Sequence, residues 1–198
     1  NMDQSLRWIL MLASPILAAM YLSRIVLIRT LFERGVFTFQ NSLDTAQVLA
    51  AYIPGLLFTL MGILTIRAHI IERNLRIIFV LGAVSVMANF TLNQMLVGPF
   101  GLIGLATSTT VNEILITTIY ILCLVHLLPP NIFRRWFSPI LIAILCFTLS
   151  MVLENLLGIP QAWKDPRLWL SLLSCGALLF VSLFLIRKEG PSMTRRPA

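Results

Sequence analysis

This sequence predicts an all-α polytopic membrane protein, a six-span helical bundle, and three observations carry the prediction. Of its 198 residues, 58% are hydrophobic and only 12% charged, with a mean hydropathy of +0.90. A soluble domain that apolar would expose more hydrophobic surface than water tolerates. The apolar residues run continuously rather than alternating, which argues against a β-barrel. The basic residues gather between the runs, as they do at the ends of membrane helices.

A hydrocarbon core about 30 Å thick takes about 20 apolar residues at 1.5 Å each. The first segment to meet that test is 8–28, with Pro15 as a kink, and the second is 46–66, with Pro54 and the spaced glycines Gly55 and Gly62. Between them the stretch from Arg29 to Thr45 reads as the longest outer loop, with Ser42 or Asp44 capping the second span. In that loop Gly35 permits a positive φ after Arg34, making a fixed corner. The third and fourth spans are 75–97 and 102–124, joined only by Gly98-Pro99-Phe100-Gly101, an uncharged turn punctuated by Gly and Pro. Pro139 opens the fifth span, 138–158, and Trp169 sits at the interface that opens the sixth, 168–186. The tail after Arg187 is basic and rich in breakers, and is expected to be disordered near anionic headgroups. The chain thus divides into 1–128, 129–186 and 187–198.

Orientation follows from Lys and Arg. One side collects Arg7, Arg67, Arg73, Arg76, Arg134, Arg135, Arg187, Lys188, Arg195 and Arg196; the other collects Arg24, Arg29, Arg34, Lys164 and Arg167. The richer side is expected to be cytoplasmic, with both ends of the segment there and the Gly98–Gly101 turn outside. The net charge of +7 is explained by these flanks, so no nucleic-acid partner is implied. Cys123, Cys146 and Cys175 lie in apolar runs without C-x-x-C spacing and read as buried small hydrophobes. His69 and His126 stand far apart, so no metal cluster, cofactor or catalytic group is expected. No P-loop pattern and no cleavable signal occur. The chain opens on Asn1, not Met, and reads as a cut through a longer protein.

Polar residues recur at helical spacing on both sides of the short turn. Ser85, Asn89 and Asn93 share one face; Gly104, Ser108 and Asn112 share the other. Folding the hairpin about Pro99 brings the two stripes together, as membrane helices with small and hydrogen-bonding residues pack. Asn89, Asn93 and Asn112 then serve as glue between helices or line a polar cavity. Glu113, near the middle of its span, is an ionisable group where a charge costs about 2.5–3.5 kcal/mol on insertion scales. It reads either as a protonatable or cation-binding site or as a neutral acid hydrogen-bonded to Thr109, Thr110 or a neighbouring helix. Arg24 snorkels to the headgroups or holds a phosphate. Arg67 anchors its helix or holds a diphosphate. Glu154 reads as solvated near the outer interface.

Four motifs then follow in order: Leu31-Phe32-Glu33-Arg34-Gly35-Val36-Phe37-Thr38; Ala50-Ala51-Tyr52-Ile53-Pro54-Gly55-Leu56; Asn89-Phe90-Thr91-Leu92-Asn93-Gln94-Met95-Leu96; and Gly98-Pro99-Phe100-Gly101-Leu102-Ile103-Gly104-Leu105-Ala106. Their order and spacing resemble the MurJ/MviN family of lipid II flippases, within the multidrug/oligosaccharidyl-lipid/polysaccharide exporter superfamily. The resemblance covers about residues 5–128 and matches only the second half of the family's chain. Where that family has R-A-F-Y-A and then D-T-x-T-P, this chain has Arg67-Ala68-His69-Ile70-Ile71, which favours a divergent member.

The resemblance implies a C-terminal lobe of a transporter, not an enzyme. The lobe would move a lipid-linked glycan such as a peptidoglycan precursor across a bacterial inner membrane by alternating access. Its partners would be the lipid-linked substrate, membrane lipids and a missing N-terminal lobe or partner subunit. Glu113, Asn89, Asn93, Asn112, Arg24 and Arg67 would be its pathway candidates, and Arg34, Gly35, Tyr52, Gly55, Gly101 and Gly104 its structural positions. Two alternatives stay open: a half-length interaction protein that transports nothing, and a flippase for another polysaccharide lipid carrier.

Overall fold

The structure, a computed structural model, describes residues 2–124, 132–157 and 165–189. These form helices α1 (Met2–Phe32), α2 (Phe39–Ile71), α3 (Leu75–Cys123), α4 (Ile132–Leu157) and α5 (Pro166–Glu189), with no strand among the described residues. All five helices are long and apolar enough to cross a membrane. Most of the tail, with Arg195 and Arg196, lies outside the described residues, as do His126 and Lys164.

The helices pack in the order α3, α2, α1, then α4 with α5. Leu6, Leu10 and Leu17 of α1 meet Ile53, Leu57 and Met61 of α2 on one side. Met11, Ala18 and Leu22 meet Ile142, Cys146 and Cys175 on the other. The apolar window of α1 is 61% buried and that of α3 is 0% buried, so α1 is the hub and α3 the open edge. Cys146 and Cys175 are buried as expected, whereas Cys123 is exposed at the end of α3.

A straight helix the length of α3 would be about 74 Å long. It is not straight: Gly101 adopts φ 57°, ψ −133°, a region essentially reserved for glycine. The chain doubles back there, so that Tyr120 donates to the Ile78 carbonyl at 3.4 Å. Two antiparallel arms result, 75–100 and 102–123. The helix persists through Gly98, Pro99 and Phe100, so the expected four-residue turn contracts to Gly101, which alone can take the reversal.

Three other expectations need correction. The Arg29–Thr45 loop is mostly helix; the helices stop at Phe32 and resume at Phe39. Thr38, not Ser42 or Asp44, is the N-cap of α2: its backbone is extended and its hydroxyl accepts from Asn41 N. Ser42 lies inside the helix and donates back to the Thr38 carbonyl. Helix α4 begins earlier, at Ile132, but its candidate membrane span opens at Pro139 as expected. At α5, by contrast, Pro166 stands in the first turn and Asp165 accepts from Arg167 N at 3.1 Å. Arg7 and Arg24 are buried rather than at the headgroups; removing one from each side leaves the charge bias in the same direction.

The α2–α3 link closes as a Schellman motif. Asn74 N donates to His69 O at 3.0 Å and Arg73 N to Ile70 O at 3.1 Å. Arg73 is forced to φ 56°, where a Cβ is unfavourable by about 1–2 kcal/mol. Arg73→Gly is therefore expected to stabilise the protein by about 1 kcal/mol. The check is the melting temperature of the purified protein in detergent, which should rise; a fall would refute the strain argument.

Candidate functional site

The second arm of α3 lies parallel to α2, and their seam is built from three rungs. At the first, a Cβ on Gly55 would stand 2.8 Å from Thr110 Oγ1 and 3.0 Å from its Cα; at the third, a Cβ on Gly62 would stand 2.8 Å from Thr117 Oγ1. Glycine at both positions lets the threonines seat, and each hydroxyl donates across the seam. Thr110 bonds the Ala51 carbonyl at 2.7 Å and Thr117 the Phe58 carbonyl at 3.1 Å. Between them, Thr59 Oγ1 lies 3.2 Å from Glu113 Oε2 and 3.1 Å from the Gly55 carbonyl. Glu113 is half-buried. One carboxyl oxygen is held by the neighbouring helix, and the group is not enclosed by this chain.

Within the hairpin, the predicted stripes meet. Ser108 donates to Asn93 Oδ1, and Asn112 Nδ2 donates to Ser85 Oγ at 2.9 Å. Asn112 is buried, and its Oδ1, like that of Asn89, is enclosed without a hydrogen-bond donor among the described residues. Gly104 makes the contact possible, because a Cβ there would stand 2.0 Å from the Leu96 carbonyl oxygen. The polar stripe therefore holds the two arms together and encloses two acceptor oxygens between them.

Arg24 is far from these groups in its bonding. Its Nη2 pairs with Glu154 Oε1 at 2.7 Å, its Nη1 donates to the Tyr21 carbonyl at 2.7 Å, and its guanidinium lies 4.3 Å from the Tyr21 ring centre. Its charge is met by an acid of α4, so the buried side chain does not snorkel to the headgroups. Glu154 is correspondingly only 20% exposed, not solvated. Arg67 is exposed near the end of α2, beside fully buried His69, whose ring packs 5.4 Å from that of Tyr120. Arg34 is exposed in the α1–α2 corner, where Gly35 takes φ 61°. Tyr52 lines a groove of about 390 Å³ between α2 and the hairpin turn. No group of three metal-ligating side chains occurs among the described residues.

The sequence-predicted candidates thus fall into three places: Glu113 in the α2–α3 seam, the asparagines in the hairpin, and the two arginines apart from both. Sequence reasoning missed Thr59 and Thr117, and placed Thr110 only as a neighbour of Glu113, whereas its hydroxyl bonds the Ala51 carbonyl across the seam. The signal was present: Gly55 and Gly62 have the same spacing as Thr110 and Thr117. It also missed Glu154 as the partner of Arg24, which no local pattern announces across such a separation.

The family model described as lipid II flippase MurJ matches residues 1–173. Among solved structures, one described as lipid II flippase MurJ in an inward closed conformation aligns with a TM-score of 0.70 at 20% identity. The alignment covers 94% of this chain and 37% of that one, so the chain spans well under half the length of the structure it resembles. At that identity the likeness speaks for the fold. No curated protein sequence matches the chain.

Proposed function

Since the chain belongs to the MurJ lipid II flippase family, we propose that it is the C-terminal part of a transporter carrying a lipid-linked peptidoglycan precursor across the bacterial inner membrane. The observation that carries this reading is the family match over residues 1–173. In it, α3 crosses the membrane twice, since each of its arms is long enough for a core of about 30 Å. The described helices then make six spans, with both ends of the segment cytoplasmic and Gly101 outside. Transport proceeds by alternating access: this lobe rocks against a first lobe that precedes it, with the glycan head group in a polar cavity between them.

Within that scheme Glu113 is the pathway residue with the strongest physical case. A carboxyl group at mid-span with one oxygen held by Thr59 and the other side open is costly in lipid, and tolerable against a polar cavity. Asn89, Asn93 and Asn112 contribute hydrogen-bonding capacity to the same lobe, and Arg67 a cation at its inner end.

The test is a flipping assay on the full-length protein in vesicles, reading lipid II in the outer leaflet with a membrane-impermeant reagent. Wild-type protein should expose the head group, and residues 1–198 alone should not. Glu113→Gln, which keeps a hydrogen-bond acceptor for Thr59, is expected to slow flipping about tenfold, the effect of about 1.4 kcal/mol, with an unchanged melting temperature. Full-rate flipping by the isolated segment would overturn the two-lobe scheme, and full-rate flipping by Glu113→Gln would remove Glu113 from the pathway.

A further inference from the structure

The seam between α2 and α3 ends in a groove that the described chain leaves open. The rungs Gly55–Thr110 and Gly62–Thr117 share one offset, which places the start of α2, around Asp44, level with the hairpin turn. There the helices part, and the groove of about 390 Å³ lies between them. Its α2 wall is polar, with Asp44, Gln47 and Tyr52; its hairpin wall is apolar, with Phe100, Leu102 and Ile103. Phe100 is 61% and Leu102 71% exposed, so the described residues leave this wall largely uncovered.

Depth and charge narrow what fills it. A helix of the length of α2 spans about 50 Å, well beyond a hydrocarbon core of about 30 Å. Its first turns therefore reach the headgroup zone. Asp44 is the one charged residue lining the groove. One of its oxygens accepts from Gln40 at 3.2 Å, and an ionised carboxylate has capacity for further bonds. A single acid at headgroup depth, with neutral donors beside it and an apolar wall leading toward the hydrocarbon, matches a zwitterionic amphipath with a hydrogen-bonding cation.

We propose that this groove binds a phospholipid with a primary-ammonium headgroup, of the phosphoethanolamine type. The ammonium donates to Asp44, Gln47 offers a neutral donor to the phosphate, and the first acyl carbons lie along Leu102 and Ile103 toward Tyr52. A trimethylammonium headgroup has the same charge but no N–H to donate, and an anionic headgroup meets Asp44 as a like charge. The site depends only on the helices lying in a membrane, not on what the protein transports.

The experiment is native mass spectrometry of the full-length protein released from detergent, with phosphatidylethanolamine, phosphatidylcholine and phosphatidylglycerol of identical chains in competition. Wild-type protein is expected to retain the ethanolamine lipid about tenfold over either competitor, the ratio one charge-assisted hydrogen bond supports. Asp44→Asn, which keeps an oxygen for Gln40 and does not touch the Thr38 cap, should cut the ratio to about twofold or less. Glu33→Gln, an acid outside the groove lining, should leave it unchanged. Leu102→Lys tests the apolar wall without altering Asp44 and should lower retention of the ethanolamine lipid. Equal retention of ethanolamine and choline lipids by the wild type, a preference for the glycerol lipid, or a ratio that survives Asp44→Asn would each overturn the site.

Discussion

Gly104→Val is expected to destabilise the protein by about 3 kcal/mol or more, beyond the usual range for overpacking. The reason lies in what the new side chain meets. A Cβ at that position would stand 2.0 Å from the carbonyl oxygen of Leu96 and 2.6 Å from its carbon. Those are backbone atoms of the opposite arm, held in a helix, and have no rotamer through which to yield. The arms must separate, and separation removes the bonds that depend on their approach: Ser108 to Asn93, Asn112 to Ser85, and Tyr120 to the Ile78 carbonyl. In a membrane those groups have no water to turn to. The damage should spread to the α2 seam, because Thr110, Glu113 and Thr117 ride on the same arm. The measurement is the melting temperature and folded yield of the variant in detergent beside the wild type. Gly98→Ala provides the contrast, since a Cβ there meets nothing within 4 Å. Equal stability of Gly104→Val and wild type would mean that the arms do not approach this closely.

How much of this was legible beforehand depended on whether a feature was local. The hairpin was legible because its signals sit in one stretch: Gly98-Pro99-Phe100-Gly101 breaks two apolar runs, and polar residues repeat every four positions on either side. Period and turn together fix which faces meet. Even there the turn's location was blurred, because Pro99 looks like a breaker yet stays inside the helix, and Gly101 makes the reversal through a backbone angle that no neighbouring residue specifies. The cap of α2 was misplaced for a similar reason. Thr38, Ser42 and Asp44 are all plausible caps, and the choice falls to whichever backbone is extended, a property of the α1–α2 corner rather than of the residue type.

Glu113 was visible as an anomaly, an acid in an apolar run, but its surroundings were not. Whether such a group faces lipid, a cavity or a helix depends on the rotation of the span. That rotation is set here by two glycines on another helix, Gly55 and Gly62, that receive Thr110 and Thr117. The pairing of small residues with threonines at matching spacing is legible only once the two helices are known to be parallel neighbours. Orientation in the membrane was read from charges at helix ends, yet Arg7 and Arg24 are buried. Sequence position near a span end does not separate a headgroup anchor from a cation paired inside the bundle.

Arg24 carries the second large effect. Its guanidinium side chain is 7% exposed, and the only acid paired with it among the described residues is Glu154, on α4. Arg24→Met removes the cation and keeps the bulk, leaving a largely buried carboxylate with no cation paired to it among the described residues. Breaking a fully buried pair costs about 3–5 kcal/mol. Because Glu154 keeps 20% exposure, some of that is recovered by solvation, and a loss of about 2–3 kcal/mol is expected. Glu154→Gln alone should cost a similar amount by stranding the arginine. In the double variant neither charge remains, and the loss should be smaller than the sum of the two singles by about 1.5 kcal/mol or more. Thermal melts of the four proteins in one detergent give the cycle. Additive losses would mean that the two side chains stabilise the bundle independently. A coupled cycle would instead identify the pair as the tie that fixes the C-terminal end of α4 to α1, the helix it packs against most. The rotation of α4 about the hub then rests on that ion pair together with the packing of Ile142 and Cys146 against Met11, Ala18 and Leu22 of α1.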